Sequence, residues 1–271
     1  MIIETLKNLF KESDKTKSNL NQLLLLGIND YLQKHLYNAE KYADPLKLNR
    51  FEYSAFSQNG EDGIIEEIFK RIGTTNKYFI EFGVESGVEC NSTYLLHQGW
   101  KGLWIEGGKK CVDLINTKFK SKIEAGDLAV LQKFITRENI ESLFESAGSP
   151  NEPDLLSIDI DGNDFYVWES ITKYNPRVVI IEYNGLFKPG VEFKVNYDPN
   201  AVWDKSNIFG SSIESLYHLG NKKGYSLVGC CFTGVNAFFV RNDLIKNNFL
   251  EPFTTENHYE PQRFFLYKRE E

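Results

Sequence analysis

The segment Ser157-Ile-Asp-Ile-Asp-Gly-Asn-Asp164 follows an apolar run and sets three carboxylates within six residues. Strand alternation puts Asp159 and Asp161 on one side of the chain. Like charges this close repel, so the arrangement is costly without a cation or hydrogen-bond donors nearby. A second apolar run ends in Ile181-Glu-Tyr-Asn184, and the same alternation groups Glu182 with Asn184. Asp159, Asp161, Glu182 and the Asn184 amide make an all-oxygen set suited to Mg²⁺, Mn²⁺ or Ca²⁺, with Fe²⁺ if a histidine joins. Asp159 and Asp161 are also candidate catalytic bases for a hydroxyl proton. Other chemistries use similar strings. An EF-hand loop would need Gly and Glu where Asp164 and Ser170 stand. Asp159-x-Asp161 also matches the acid pair of metal-dependent glycosyltransferases. Without a metal, Asp159 could bind a ligand amino group while Asp161 and Asp164 cap a helix.

A third constellation is Phe79-Ile-Glu-Phe-Gly-Val-Glu-Ser-Gly87. Gly83 and Gly87 form G-x-x-x-G at a strand-to-helix turn, where glycine permits close approach and a helix N-terminus follows. The dinucleotide fingerprint G-x-G-x-x-G is absent, because Glu85 stands where its second glycine would be. Acids around this turn disfavour a pyrophosphate and suit a cation such as a sulfonium amino acid. The next strand, Gly102-Leu-Trp-Ile-Glu106, also ends in an acid, which can accept bonds from both ribose hydroxyls.

These residues need a frame that brings strand ends together. Strand candidates are Tyr78–Phe82, Gly102–Ile105, Val130–Ile135, Leu155–Ile160, Val178–Glu182, Ser226–Val228 and Ala237–Val240. Helix candidates are Gly60–Gly73, Asn91–Gln98, Lys109–Phe119, Arg137–Ser146, Tyr166–Ile171 and Ser211–Lys222. Such alternation predicts an α/β fold, a Rossmann-like, doubly wound, mostly parallel sheet with an antiparallel C-terminal edge pair. Ligands then sit beyond the carboxyl ends of the strands, where the acids fall. Residues 1–50 read as an N-terminal helical segment, with Leu20, Leu23, Leu24, Tyr31 and Leu32 at helical spacing and Pro45 as a stop. Residues 51–271 read as the α/β domain. The helical segment either packs on that domain or makes a homo-oligomer contact.

With SQNGEDGI (Ser57–Ile64), FIEFGVESG (Phe79–Gly87), LWIEG (Leu103–Gly107), ITRENI (Ile135–Ile140), LLSIDIDGND (Leu155–Asp164), VVIIEYN (Val178–Asn184) and KKGYSLVGC with GVNAFFVR (Lys222–Arg241) in this order, the chain resembles class I S-adenosylmethionine-dependent methyltransferases. The resemblance is to the FkbM-like group of glycan and natural-product pathways. It implies S-adenosyl-L-methionine as cofactor, with Glu81, Gly83 and Gly87 around its methionine part and Glu106 on its ribose. It also implies that Gln58 and Asp62 close over the same pocket, that Thr136 and Asp159 touch the cofactor, and that a divalent metal (Mg, Mn or Fe) is an option. The expected reaction is O-methylation of a sugar, nucleotide-sugar or related polar metabolite, a capsule polysaccharide precursor being one such acceptor. The alternatives are a metal-dependent glycosyltransferase and a non-catalytic subunit that keeps the fold.

The segment from Phe187 to Gly210 is too long for a plain connector, and reads either as a lid packed by its own aromatics or as a substrate loop. Its aromatics suit a sugar-like substrate, with Tyr197 and Trp203 as candidate contacts. The histidines, His35, His97, His218 and His258, read as structural or solvent-facing. With 38 acidic and 31 basic residues, a net of −7, the 271-residue chain lacks the basic face of a nucleic-acid binder. No apolar run approaches the roughly 20 residues of a membrane span. The N-terminal residues carry Glu4 and no cleavage site, so no signal peptide is expected. Cys90, Cys111, Cys230 and Cys231 form no C-x-x-C pair, which predicts reduced thiols and a cytoplasmic location.

Overall fold

The structure, a computed structural model, describes residues 2–200 and 206–266, with side chains from residue 15 onward. Two compact units divide the chain, Met1–Pro45 with Phe264–Glu271 and Leu46–Arg263. In the first, Ile2–Tyr31 is one helix, α1, continued by a π-helical stretch at Leu32–Tyr37 and a 3-10 turn at Glu40–Tyr42. Leu20, Leu23 and Leu24 are 65%, 66% and 51% exposed, so an apolar face of α1 lies open. Tyr31 meets the Phe265 ring edge-on at 5.2 Å. No helix among the described residues is long and apolar enough to cross a membrane.

The second unit is built on one seven-stranded sheet. Its strands are β1 (Tyr78–Phe82), β2 (Lys101–Glu106), β3 (Leu128–Gln132), β4 (Leu155–Ile158), β5 (Val178–Glu182), β6 (Tyr225–Cys230) and β7 (Asn236–Arg241). Their order is β3-β2-β1-β4-β5-β7-β6. The first five are parallel, and β7 runs antiparallel to both β5 and β6. The expected antiparallel C-terminal pair is present, with β6 at the edge and β7 inside it. β1, β4 and β5 are near-continuous apolar runs because helices cover both faces of a parallel sheet.

The covering helices are α2 (Glu61–Ile72), α3 (Thr93–His97), α4 (Lys109–Lys118), α5 (Lys120–Glu124), α6 (Ile140–Ser146), α7 (Asp164–Ser170) and α8 (Ile213–Lys222), followed by α9 (Asn242–Ile245) and α10 (Thr255–His258). Ile80, Phe82, Leu156, Ile158, Val179 and Ile181 pack against Phe144 of α6, Trp168 of α7 and Leu216 of α8 in one buried core. α2 begins with Glu61 and Asp62, whose charges suit a helix N-terminus, and ends at Gly73 with φ +69°.

The amino ends of the strands are clamped by Asp154, which is wholly buried. Its carboxylate accepts the backbone N–H groups of Thr75, Asn76 and Lys77 and pairs with Arg177 at 2.6 Å. Arg177 also donates to the carbonyls of Ile72 and Gly73, the C-terminal end of α2.

Several boundaries shift from the sequence expectation, β4 ending at Ile158 rather than Ile160 and α6 starting at Ile140 rather than Arg137, and the shifts of β3 and α7 have a local physical reason. β3 pairs with Gly102–Glu106 over Leu128–Gln132, two residues earlier than the apolar run suggested. Phe134 leaves the sheet, lies 77% exposed, and lays its ring over Gly107. α7 starts at Asp164, because that side chain accepts the Ile160 and Gly162 N–H groups and closes the turn before it.

Candidate functional site

The acids fall at the carboxyl edge of the sheet, and the structure divides them into those engaged by the protein and those left open. Glu81, on β1, is 4% exposed. Oε1 accepts the Asn91 N–H at 2.9 Å and the Ser157 hydroxyl at 3.1 Å. Oε2 accepts the Ser92 N–H at 2.9 Å and the Ser92 hydroxyl. Burial pushes its pKa up while these donors pull it down. Glu81 thus pins the far end of the turn that contains G-x-x-x-G.

That turn is tight. Gly83 has φ +76°, and a Cβ there would lie 1.5 Å from the Asp159 carbonyl oxygen. Gly87, at φ +75°, has the Trp104 ring where a Cβ would be. The close approaches that require glycine are therefore made by protein atoms. Glu85 between them also has positive φ, +46°. Its N–H donates to Glu106 Oε2 at 2.9 Å, and Gly108 N–H donates to Glu106 Oε1 at 2.7 Å. Each Glu106 oxygen retains a lone pair for a further donor.

The segment before β1 folds back through Asp62. Its Oδ2 accepts the N–H groups of Ala55, Phe56 and Ser57, and its buried Oδ1 has no partner among the described residues. Gln58 in this segment is exposed. Thr136, half-buried, donates its N–H to Asn139 Oδ1 at the entry to α6.

Asp159, Asp161 and Glu182 come together. One carboxylate oxygen from each lies within 4.8 Å of the other two. Asp161 takes the left-handed φ of +59°, held by the Asp164 turn. Burial, then the neighbouring carboxylates, hold Asp159 and Glu182 well above the usual carboxylate range. Asp164 is pushed up to about 6, chiefly by burial, against its two backbone donors. Glu182 Oε2 is buried and lacks a partner among the described residues. No histidine enters this cluster among the described residues, so the condition for Fe²⁺ is unmet and the donors fit a hard cation.

Asn184, expected beside Glu182, does other work. Its Oδ1 accepts the Leu186 N–H at 3.1 Å, and its Nδ2 donates to the Asn207 and Phe209 carbonyls. Tyr197 lies under the Arg137 guanidinium at 4.0 Å, and its hydroxyl donates to Glu138. That bond, then Arg137, pulls Glu138 down to about 2. Tyr197 so ties the long connector to the loop bearing Thr136. Trp203 lies outside the described residues. His218 stands 3.4 Å from Glu214 and 3.5 Å from Glu192, away from the acid cluster.

Two residues escaped sequence reasoning. Glu61 is wholly buried, accepting Asn59 N–H at 2.7 Å and Asn236 Nδ2 at 2.8 Å. Asn236 stands opposite Glu182 in the β5–β7 register. The one available signal was polarity at the start of an apolar strand.

No family model matches the chain, and no curated protein matches it. Among solved structures, it is similar to the N-terminal domain of EvdMO1 with SAH bound, at 12% identity over 68% of this chain and 80% of that one, TM-score 0.44. It is also similar to the methyltransferase domain of bacterial CtHen1, at 13% identity over 66% and 96%, TM-score 0.42. The glycopeptide N-methyltransferase MtfA gives 11% identity over 65% and 94%, TM-score 0.40.

Proposed function

We propose that the protein is an S-adenosylmethionine-dependent O-methyltransferase of the FkbM-like group, acting on a hydroxyl of a sugar, nucleotide-sugar or related polar metabolite in glycan or natural-product biosynthesis. One observation carries the reading. A doubly wound sheet gathers the Gly83–Gly87 turn, Glu106 and an open acid cluster along its carboxyl edge. S-adenosylmethionine, when bound, supplies a methyl on a sulfonium. In this reading Glu106 takes the ribose hydroxyls with its remaining lone pairs, and its two backbone donors fix its orientation. The Gly83–Gly87 turn and Asp62 border the methionine part. Orientation of the acceptor oxygen in line with the methyl is the main catalytic contribution. Asp159 or Asp161 would take the proton that the acceptor hydroxyl gives up on methylation.

Asp159, Asp161 and Glu182 would hold a divalent cation, and the buried, unpartnered Glu182 oxygen supports that fit. Such an ion, when bound, lowers the pKa of a hydroxyl it holds. Tyr197 shapes the acceptor side through the connector it fastens. A second copy of this chain is the partner proposed for the open face of α1, and the cytoplasm is the proposed location.

The test is calorimetry with S-adenosylhomocysteine, with and without EDTA, on the wild type and two variants. Glu106→Ala should lose cofactor affinity. Asp161→Asn should lose turnover with cofactor affinity kept. Full methyl transfer by both variants overturns the assignment. The acid pair Asp159-x-Asp161 favours one second reading, a metal-dependent glycosyltransferase. It predicts metal-dependent nucleotide-sugar binding and indifference to S-adenosylhomocysteine.

A further inference from the structure

We propose that Asn236, on β7, supplies the fourth protein oxygen of the cation site, and that Glu61 turns its amide to do so. This rests on the reading that Asp159, Asp161 and Glu182 hold a divalent ion.

The residue suggested by strand alternation, Asn184, has its oxygen on the Leu186 N–H and its nitrogen on two carbonyls. Asn236 is differently placed. It lies directly opposite Glu182 in the antiparallel β5–β7 pair. Opposed residues project from the same face, with Cβ atoms about 5 Å apart. Asn236 is 4% exposed, and its Oδ1 is buried with no partner among the described residues. Glu182 Oε2 is in the same condition. With Glu182 ionised, as a metal ligand must be, both atoms are acceptors and neither satisfies the other. A cation bound by the acid cluster and reached by Asn236 Oδ1 would serve both.

The orientation of the amide follows from its neighbour. Glu61 Oε2 accepts the Asn59 N–H at 2.7 Å, and Oε1 faces Asn236 at 2.8 Å. An ionised Glu61 accepts only, and with it in that state the Asn236 NH₂ turns to it and leaves Oδ1 as the free atom. Glu61 is wholly buried and cannot swing away. This is the arrangement by which an outer carboxylate aims a metal ligand. Glu61 also begins α2, and the Asn59 N–H ties the preceding loop to it. Cation occupancy and the order of the segment that carries Gln58 and Asp62 are thereby linked.

The test is Mn²⁺ binding to the full-length protein, read from the electron paramagnetic resonance of free Mn²⁺, with circular dichroism confirming the fold. Asn236→Leu should weaken Mn²⁺ binding by about 10- to 100-fold, and Glu61→Gln by about 10-fold. The double variant Glu61→Gln with Asn236→Asp, which keeps a metal-facing oxygen and restores a donor opposite it, should stay within a few-fold of wild type. Asn184→Ala should lower the melting temperature and leave Mn²⁺ affinity unchanged. Folded Asn236→Leu protein with wild-type affinity overturns the proposal. If Asn236→Leu does not fold, a 10-fold loss in the folded Glu61→Gln, Asn236→Asp double variant overturns it instead. Wild type that takes up no Mn²⁺ sinks the cation reading and this proposal together, while S-adenosylhomocysteine binding reports separately on the methyltransferase reading.

Discussion

Replacing Glu81 by Gln separates two roles that the same carboxylate could have. In the structure both oxygens are engaged by the protein, Oε1 by Asn91 N–H and Ser157, Oε2 by Ser92 N–H and hydroxyl. Gln has one acceptor oxygen and one NH₂. Whichever way the amide turns, one buried backbone N–H, of Asn91 or of Ser92, faces another donor. The serine hydroxyls can rotate to accept, but a backbone N–H cannot. Losing one charge-assisted bond and orphaning its donor costs about 2–4 kcal/mol. For a domain of this size that lowers the melting temperature by about 4–16 °C. The assay is differential scanning calorimetry, paired with S-adenosylhomocysteine titration at a temperature where the variant is folded. The cost should appear in stability, with cofactor affinity falling only as far as the Gly83–Gly87 turn loosens. An unchanged melting temperature with a large loss of affinity would refute the reasoning, because the carboxylate would then be a ligand contact.

The opposite end of the sheet should be indifferent to ligand and sensitive to charge. Asp154→Ala leaves Arg177 buried without its partner and should cost about 3–5 kcal/mol in urea denaturation. Asp164 gives a pH signature. Its folded pKa, about 6, lies above that of a free aspartate, so its contribution is present below about pH 4 and lost as pH rises through 6. With no divalent ion, wild type should lose up to roughly 3 kcal/mol over that window relative to Asp164→Asn, and parallel slopes would contradict the burial of this acid. Replacing Leu20, Leu23 and Leu24 together by Ser should convert an oligomer to a monomer in sedimentation velocity, and an unchanged coefficient would remove the self-association proposal.

Much of the sheet was legible because its physics is written locally. Val178–Glu182 and Leu155–Ile158 are buried on both faces and so read as apolar runs, and their trailing acids mark the ligand edge. β3 was harder, since Phe134 is as apolar as a strand residue yet covers Gly107 from outside the sheet. Alternation applies only while a strand lasts. β5 ends at Glu182, so the rule carried no information about Asn184, whose amide closes the following turn. Glu61 and Asn236 meet because the first residue of α2 comes against the first residue of β7, a contact between distant parts of the chain that no local pattern announces.

The approach of Gly83 to Asp159 has a consequence for how this chain can vary. A Cβ there would meet a backbone carbonyl oxygen. A bulky neighbour can be trimmed by a second substitution, but a carbonyl belongs to every residue type. No change at position 159 can make room, and shifting β4 would break its ladder with β1. In a saturation library only glycine should survive at position 83, and no suppressor at position 159 should restore the others. The two loops it joins, one beside the proposed cofactor and one bearing the acid cluster, are therefore bound to move as one piece.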